Sequence, residues 1–420
     1  MKRVITTLMV LVLALVMTGT LAATGTSEAG GEVQLNFPTF WVGQDSKSGP
    51  IATLLETFNN MYEGEIKVVL EPNPDTDGYR DKLNTQLATG RAPDLFVFNP
   101  DPTTFQYYES DILFDFTNEL AGPWGDDFVR SHIADATKNG RTKSVPYEIA
   151  LTPIWYNSDL FDEAGVREFP KTLAQFQTAA DRLKSAGIVP TSQMTGGSNA
   201  WTSMLWFSHF AASLGGPNVW DKPLSDPIFE EAAEVLLAMY LNGNTTRDAV
   251  GGDAGVSGGH YLAGDTAMFI NGPWYIGRIR DGAPEIHAAT KLAPAPQVGE
   301  YYGHQIGFPL SNLAAANTDN PAQREAVLTW MKFMTEPDNV KMMSEQAGSL
   351  FAIKYELGSD ADPLQKEFVR AASEATFVAG HFATAYPVDV VAEFGQALAE
   401  MALGEATPAD FIQALIDKNN

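Results

Sequence analysis

Short apolar segments alternate with segments of helical periodicity near the start of the chain, and this alternation restricts the fold more than any other feature. Segments 33–41, 65–70 and 94–98 are rich in β-branched and aromatic residues, which favour strands. Between them, apolar residues recur at intervals of three and four from Ile51 to Phe58 and from Tyr79 to Leu87, as on one face of a helix. A β-α-β-α-β order predicts a parallel sheet covered by helices, and therefore an α/β fold.

Helical segments continue to the C-terminus. Thr172 and Gln175 form a capping box in front of one of them. The others cover residues 229–240, 322–333, 389–403 and 409–416. The chain has 420 residues, and because a typical domain has about 150, the sequence predicts two domains.

The N-terminal residues have the pattern of a secretion signal. A basic start precedes an almost unbroken apolar run from Val4 to Met17, which is shorter than the roughly 20 residues of a membrane-spanning helix. We therefore predict a signal peptide over 1–23, a flexible leader over 24–32, and a periplasmic or other extracytoplasmic location. Thr24 stands where a lipoprotein signal has cysteine, so this sequence predicts no lipidation there.

Composition excludes several kinds of chemistry and partner. The sequence contains no cysteine, which excludes disulfides, thiolate catalysis and cysteine-bound metals. The formal net charge is −25, and a surface of this charge repels nucleic acid.

The segment GDTAMFINGPWYIG, from Gly264 to Gly277, predicts an aromatic side chain at the end of a strand. An apolar run from Ala267 to Ile270 ends at an Asn-Gly-Pro turn, and Trp274 follows this turn. A rigid flat side chain in this position suits a binding cleft, although local features alone favour a tryptophan of the core.

Four parts of the chain carry a family pattern. They are ATGRAPDLFVFNPD (88–101), VPYEIALTPIWYNSDLFDEAG (145–165), GDTAMFINGPWYIG (264–277), and a C-terminal part with MKFMTEPDNVKMMSEQAGSLFAIK (331–354) and GEATPADFIQALI (404–416). In their order and spacing they resemble the extracellular solute-binding proteins of ABC importers, in particular the maltose-binding-protein-like sugar-binding family. The resemblance covers nearly all of the predicted mature chain.

This resemblance implies a two-lobe periplasmic-binding-protein fold. Each lobe would be a helix-covered, mainly parallel sheet, and hinge crossings would join the lobes because both are discontinuous in sequence. The expected lobes are an N-terminal one of residues 33–147 plus 304–336 and a C-terminal one of residues 148–303 plus 337–420. The cleft between them would close on a ligand by a shift between two states, without chemistry.

The resemblance also implies the site residues. Trp274 matches the family position whose indole stacks on a sugar ring, Phe98 matches a second stacking position, and Asp101 matches a hydroxyl-binding one. Glu148 lies two positions before the family's contact glutamate, where this chain has Ala150. The full set of candidate ligand-binding residues is Trp274, Trp41, Phe98, Asp101, Asp45, Gln44, Tyr147, Glu148, Trp201, Trp206, Tyr302 and His304.

The chain departs from the family pattern in two further places. No carboxylate occurs between Gly196 and Trp220, so the family's contact there is lost or replaced by Asn199 or Ser203. The third stacking tryptophan of the family corresponds approximately to Val391. Fewer stacked rings imply a ligand other than a long maltodextrin, such as a mono- or disaccharide.

As a whole, the resemblance implies the high-affinity substrate-binding component of an ABC transporter. Such a protein binds a mono- or oligosaccharide in the cleft between its lobes and delivers it to the permease subunits. We expect a monomer that has no enzyme activity, no cofactor, no metal and no nucleic-acid partner.

Three other interpretations stay open. Paired tyrosines at 107–108 and 301–302 would suit a ferric-ion receptor, since hard oxygen ligands suit hard cations. Arg278 and Arg280 would suit a phosphate ester of the glycerol phosphate type. A secreted glycosidase would need two carboxylates roughly 5–9.5 Å apart, and no spacing in the sequence indicates such a pair.

Overall fold

The computed structural model describes residues 31–100, 102–197 and 200–419. The predicted signal peptide and most of the predicted leader lie outside these residues, as do Asp101 and Asn199.

Strands and helices follow one another through the described chain. The strands are β1 (Val33–Thr39), β2 (Ile66–Pro72), β3 (Leu95–Phe98), β4 (Thr137–Lys138), β5 (Arg141–Thr142), β6 (Val145–Leu151), β7 (Ile154–Asn157), β8 (Val189–Thr191), β9 (Thr266–Ile270), β10 (Thr290–Ala293), β11 (Gln305–Ala315), β12 (Leu350–Phe351) and β13 (Val378–Ala379). The helices are α1 (Ser48–Met61), α2 (Thr76–Ala88), α3 (Pro102–Phe105), α4 (Thr117–Ala121), α5 (Arg130–Asp135), α6 (Ser158–Glu163), α7 (Leu173–Ser185), α8 (Trp201–Gly215), α9 (Pro227–Leu241), α10 (Ala254–Leu262), α11 (Ile276–Gly282), α12 (Pro284–Ala289), α13 (Pro321–Met334), α14 (Pro337–Ala347), α15 (Pro363–Glu374), α16 (Phe382–Ala385), α17 (Val388–Ala402) and α18 (Pro408–Asn419).

The predicted β-α-β-α-β order at the start of the chain is confirmed as β1-α1-β2-α2-β3. β1 and β2 pair in parallel, with Val33 opposite Ile66. α2 ends just before Gly90, whose φ of +71° lies in the left-handed region that favours glycine at a helix C-terminus. All four residues of β3 are buried, as expected for a strand in the interior of an α/β layer.

The pairing of the other strands is mixed, not mainly parallel as expected. One sheet has the order β12-β6-β11-β13, with β3 also paired to β11, and only the β11–β13 pair in it is parallel. Another has the order β10-β7-β9-β8, in which only β8 and β9 are parallel. β6 and β11 run between the two halves of the molecule in opposite directions, and this pair is therefore antiparallel.

Two large hydrophobic cores define the halves. The first core takes buried side chains from residues 35–147 and 313–353, and the second takes them from 150–308 and 379–415. Val340 and Ile353 pack in the first core, although the sequence assigned the chain beyond residue 336 to the other lobe. The exact lobe boundaries stay a prediction.

Strands β6 and β11 run from one core to the other. In β6, Val145 belongs to the first core and Ala150 to the second. In β11, Phe308 belongs to the second and Leu313 to the first, and the register shifts between Pro309 and Asn312. This irregularity lies where the two halves meet, and an extra residue at such a point bends the strand.

Among the described residues, no helix combines the length and the apolar character that a membrane span requires.

Candidate functional site

A cavity of about 520 Å³ lies between the two cores. Its volume is within the range of ordinary small-molecule pockets, roughly 300–1,000 Å³. Asp45, Lys47 and Glu148 line it from the first half, and Trp201 and Trp274 line it from the second. The first half therefore contributes most of the ionised groups of the cavity, and the second half contributes both tryptophans.

The aromatic wall consists of two half-buried tryptophans. The ring centroids of Trp201 and Trp274 are 5.9 Å apart, with an angle of 54° between the planes. Trp201 begins α8, whereas Trp274 follows the break after β9 that the sequence predicted. The break is held by Trp155, whose Nε1 donates a 2.9 Å hydrogen bond to the carbonyl oxygen of Asn271.

Gly272 fixes the position of the Trp274 ring. A Cβ atom at residue 272 would clash with the six-membered ring of Trp274, so the indole lies directly against this glycine. Only a residue without a side chain allows this close approach. The Gly-Pro turn thus holds the ring against the protein and leaves it half-buried at the cavity.

The charged wall contains a buried lysine between two carboxylates. Lys47 Nζ lies 3.3 Å from Asp45 Oδ1 and 3.3 Å from Glu148 Oε1. The side chains of Lys47 and Glu148 are only 3% and 1% exposed. Burial opposes the charged form of Lys47, but the attraction of Glu148 and Asp45 raises its pKa overall. Lys47 therefore forms ion pairs with both carboxylates. Charged groups form stronger hydrogen bonds to hydroxyls than neutral groups do.

Glu148 is the point at which three chain segments meet. It lies in β6, opposite Ser311 of β11 and Phe351 of β12. Its Oε1 atom also accepts a 2.6 Å hydrogen bond from the hydroxyl of Ser349. Residues two apart on a strand face the same side, so Glu148 points to the face that Ala150 also occupies.

Four candidates from the sequence line this cavity, and a fifth lies next to it. Asp45, Glu148, Trp201 and Trp274 are brought together here. Gln44 lines a second cavity of about 770 Å³.

Three candidates of the first half lie behind the cavity. Trp41 and Tyr147 are fully buried in the first core, with ring centroids 5.6 Å apart, so neither reaches the cavity surface. Phe98 lines a separate small space of about 30 Å³, which shares Arg80 and Asn99 with the cavity. Strand β1 ends before Trp41, and the chain then turns this ring inward against Tyr147.

Three candidates of the second half also lie elsewhere. Trp206 is fully buried, because it is on the side of α8 that packs against Phe176. His304 is buried and its Nε2 donates to the carbonyl oxygen of His209 at 3.1 Å. Tyr302 is half-buried and lines neither cavity. The structure therefore places these three residues away from both cavities.

The sequence did not indicate two further residues that line the cavity, Lys47 and Asp253. Lys47 reads as a surface lysine in a polar loop, and its burial depends on Glu148, which is 101 positions away. Asp253 precedes α10, and its carboxylate accepts a 3.0 Å hydrogen bond from the backbone N–H of Val256. Asp253 in front of Ala254 and Gly255 is typical of a helix N-cap, and this pattern gives no indication of a cavity.

The sequence also contains a match to the GxSxG motif, from Gly255 to Gly259. In serine hydrolases this motif forms a sharp turn between a strand and a helix, with an exposed serine. Here Ser257 is fully buried within α10 and donates to Thr202 Oγ1 at 3.3 Å. The match therefore does not form a nucleophile elbow.

The tyrosine pairs of the ferric-ion interpretation lie apart from the cavity. Burial raises the pKa of Tyr108, whose hydroxyl is within 2.5 Å of Ser144 Oγ, so its phenolate is disfavoured. Neither Tyr301 nor Tyr302 lines the two interlobe cavities. Within the ranges that the structure describes, no group of three or more His, Cys, Asp or Glu residues could hold a metal ion.

Comparison with known proteins decides the family. The family model described as "Bacterial extracellular solute-binding protein" matches residues 44–341, which is more than half of the chain. The chain belongs to this family. This solute-binding protein is 22% identical over 284 residues to a binding protein of Brucella abortus (strain 2308), and the match covers 66% of either chain.

Two further similar proteins are named for a sugar ligand. The maltotriose-binding protein of Pyrococcus abyssi (strain GE5 / Orsay) is 21% identical over 290 residues, which are 68% of this chain and 59% of that protein. The solved structure of a chitin oligosaccharide binding protein has a TM-score of 0.84 at 19% identity, over 92% of this solute-binding protein and 98% of that chain. This likeness confirms the two-lobe α/β fold.

Proposed function

We propose that this solute-binding protein binds a mono- or oligosaccharide in the cavity between its two cores and delivers it to the permease subunits of an ABC importer. The proposal includes export to the periplasm or cell exterior, action as a monomer, and no catalytic step. The sugar ligands of the maltotriose-binding and chitin-oligosaccharide-binding relatives support the ligand class.

The observation that carries the proposal is the pairing of two unlike walls. A sugar has apolar C–H faces and a rim of hydroxyls. Trp201 and Trp274 offer flat apolar surfaces, and stacking on such rings contributes about 0.5–1.5 kcal/mol beyond area burial. Lys47 and Glu148 offer a charged donor and acceptor for hydroxyls, at roughly 1.5–3 kcal/mol per hydrogen bond.

A sugar panel tests the proposal. Purified protein is screened with mono-, di- and trisaccharides by thermal shift, and hits are titrated by calorimetry. We expect saturable stabilisation that reaches about 2.7 kcal/mol at a ligand concentration of 100 times the Kd.

Two variants make the test specific to the cavity. Trp274→Ala is expected to remove the response to the sugar. Tyr302→Ala is the matched control, because this half-buried aromatic residue lines neither cavity. A response that survives in Trp274→Ala, or no response to any sugar, would contradict the proposal.

A further inference from the structure

The cavity continues beyond Trp274 into the second cavity of about 770 Å³. The two cavities have five lining residues in common, which are Phe40, Asp45, Pro74, Thr76 and Trp274. Because Trp274 lines both, its ring stands at their junction. A ligand that stacks on this ring therefore extends from one cavity into the other, so the cleft accommodates at least two sugar units.

The charges of the second cavity are paired, with one exception. Asp45 lies 3.3 Å from Lys47, and Asp281 lies 2.9 Å from Arg280. Arg280 also donates a 3.1 Å hydrogen bond to the carbonyl oxygen of Gln346. Each carboxylate that lines this cavity thus has a cation beside it, although Asp45 shares Lys47 with Glu148.

Arg278 is the exception. Its side chain is exposed and lines the second cavity, and its guanidinium carbon lies 5.6 Å from the centre of the Tyr275 ring. Within the described parts of the chain, no carboxylate forms an ion pair with it. The first cavity differs in its balance of charge, because four carboxylates line it against two cations, which are Asp45, Asp75, Glu148 and Asp253 against Lys47 and Arg80.

The rest of the second cavity presents neutral polar groups. Gln44, Ser46 and Ser48 line it near the start of α1. They can bond to sugar hydroxyls, but they do not neutralise a cation. A ligand group that enters this space therefore meets a free guanidinium, which binds carboxylates and phosphates through two parallel hydrogen bonds.

We propose that the second cavity is a subsite for a sugar unit that carries an oxyanion, either a uronate carboxylate or a phosphate, and that Arg278 binds this group. The proposal rests on the proposed function, since it places one end of the same ligand. It makes the preferred ligand an acidic oligosaccharide, with the neutral unit on the tryptophan wall and the acidic unit beyond Trp274.

The experiment compares matched ligands by calorimetry. The probes are cellobiose and maltose, their acidic counterparts cellobiouronic and maltobiouronic acid, and maltose 1-phosphate. In the native protein we expect an acidic probe to bind roughly tenfold more tightly than its neutral counterpart, the size of one charge-assisted contact. Preference for a uronic acid or for the phosphate identifies which oxyanion the subsite takes. The preference is expected to shrink between low and high salt, because screening weakens the interaction of an exposed charge.

Two variants locate the effect. Arg278→Gln is expected to abolish the preference and to leave the affinity for the neutral sugar unchanged. Arg91→Gln is the control, because Arg91 is exposed at the end of α2 and lines neither cavity.

Three results would overturn the subsite. Equal affinity for neutral and acidic probes rejects it and leaves sugar binding intact, as does a preference that persists in Arg278→Gln. Failure of all five probes also counts against it, and the wider sugar panel then shows whether sugar binding itself fails.

Discussion

Ser349 donates its hydroxyl hydrogen to Glu148 Oε1 over 2.6 Å, the same oxygen that lies 3.3 Å from Lys47 Nζ. Ser349 immediately precedes β12, and Glu148 lies in β6, so this carboxylate joins two segments at the junction of the cores. Ser349 thereby ties a cavity-lining carboxylate, on a strand that runs from one core to the other, to the segment before β12.

Replacement of Lys47 by methionine is expected to destabilise the protein strongly. It leaves the carboxylate of Glu148, which is 1% exposed, without its cation, and breaking a buried ion pair in this way costs about 3–5 kcal/mol. Urea denaturation at pH 7 measures the change. The double variant Lys47→Met/Glu148→Gln is expected to recover part of the loss. A cost below about 1 kcal/mol in the single variant would show that the pair is not coupled.

A methyl group at residue 272 is expected to weaken sugar binding from outside the ligand's reach. Gly272→Ala forces the Trp274 ring away from its place, and loss of one stacking contact of about 0.5–1.5 kcal/mol lowers affinity roughly 2- to 12-fold. Calorimetry with a sugar that binds the native protein measures this. Gly259→Ala in α10 is the control, since its Cβ would meet no atom within 4 Å and it lines neither cavity. Unchanged affinity in Gly272→Ala would argue against stacking on Trp274.

His381→Phe is expected to make stability less sensitive to acid. Burial lowers the pKa of His381 to about 3, and both ring nitrogens lack a hydrogen-bond partner among the described residues. In the unfolded chain this histidine binds a proton with a pKa near 6.5, whereas in the native state it stays neutral until about pH 3. Stability therefore falls as pH drops from about 6.5 towards 3. The ring lies 4.8 Å from that of Trp201 and 5.1 Å from that of Phe308, an environment that suits phenylalanine.

Melting temperatures at pH 7.5 and 5 measure this effect. The variant should lose less stability than the native protein on acidification. Burial also lowers the pKa of His209 to about 3 and that of His304 to about 4, so part of the acid sensitivity remains. An equal loss in variant and native protein would refute the role of His381.

His260→Gln is expected to show the opposite pH dependence. Its Nε2 lies 2.8 Å from Asp248 Oδ2, and its Nδ1 lies 3.2 Å from Asp265 Oδ2. Burial opposes protonation, but these two carboxylates raise the pKa of His260 overall. The stabilisation is thus present below about pH 6.5 and is lost as pH rises through the raised value.

The expected size is small because both aspartates are more than half exposed. The variant should be about 0.5–1 kcal/mol less stable than the native protein at pH 5.5, with little difference at pH 9. Denaturation at the two pH values measures it. A larger deficit at pH 9 than at pH 5.5 would contradict the assigned ion pairs.

Local periodicity was sufficient to predict most elements, because helices and strands bury one face at a fixed spacing. The helix from Ile51, the strand before Asn271 and the cap at Thr172 were all predictable in this way, and Thr172 Oγ1 does accept from the backbone N–H of Gln175 at 3.3 Å. Strand direction was not, since antiparallel pairing of β6 with β11 joins segments that are far apart in sequence.

Part of the site was predictable from the family resemblance, which nominated Asp45, Glu148, Trp201 and Trp274. For Trp274, local features alone favoured the core, although the residue follows a Gly-Pro break and lines the cavity. Trp41 and Trp206 carry equally large rings, but nothing in the sequence distinguishes a ring that faces a cavity from one that fills a core. Lys47 was missed for the opposite reason, because its buried position depends on a distant carboxylate.

The unlike walls of the cavity give the proposed transport cycle a simple release step. The rings that would hold the flat faces of a sugar belong to one half of the molecule, and the Lys47–Glu148 pair that would hold its hydroxyls belongs to the other. Neither half alone offers both the tryptophan pair and the Lys47–Glu148 pair. A permease that draws the halves apart would therefore separate the two sets of contacts and release the ligand. No side chain of the binding protein would change chemically.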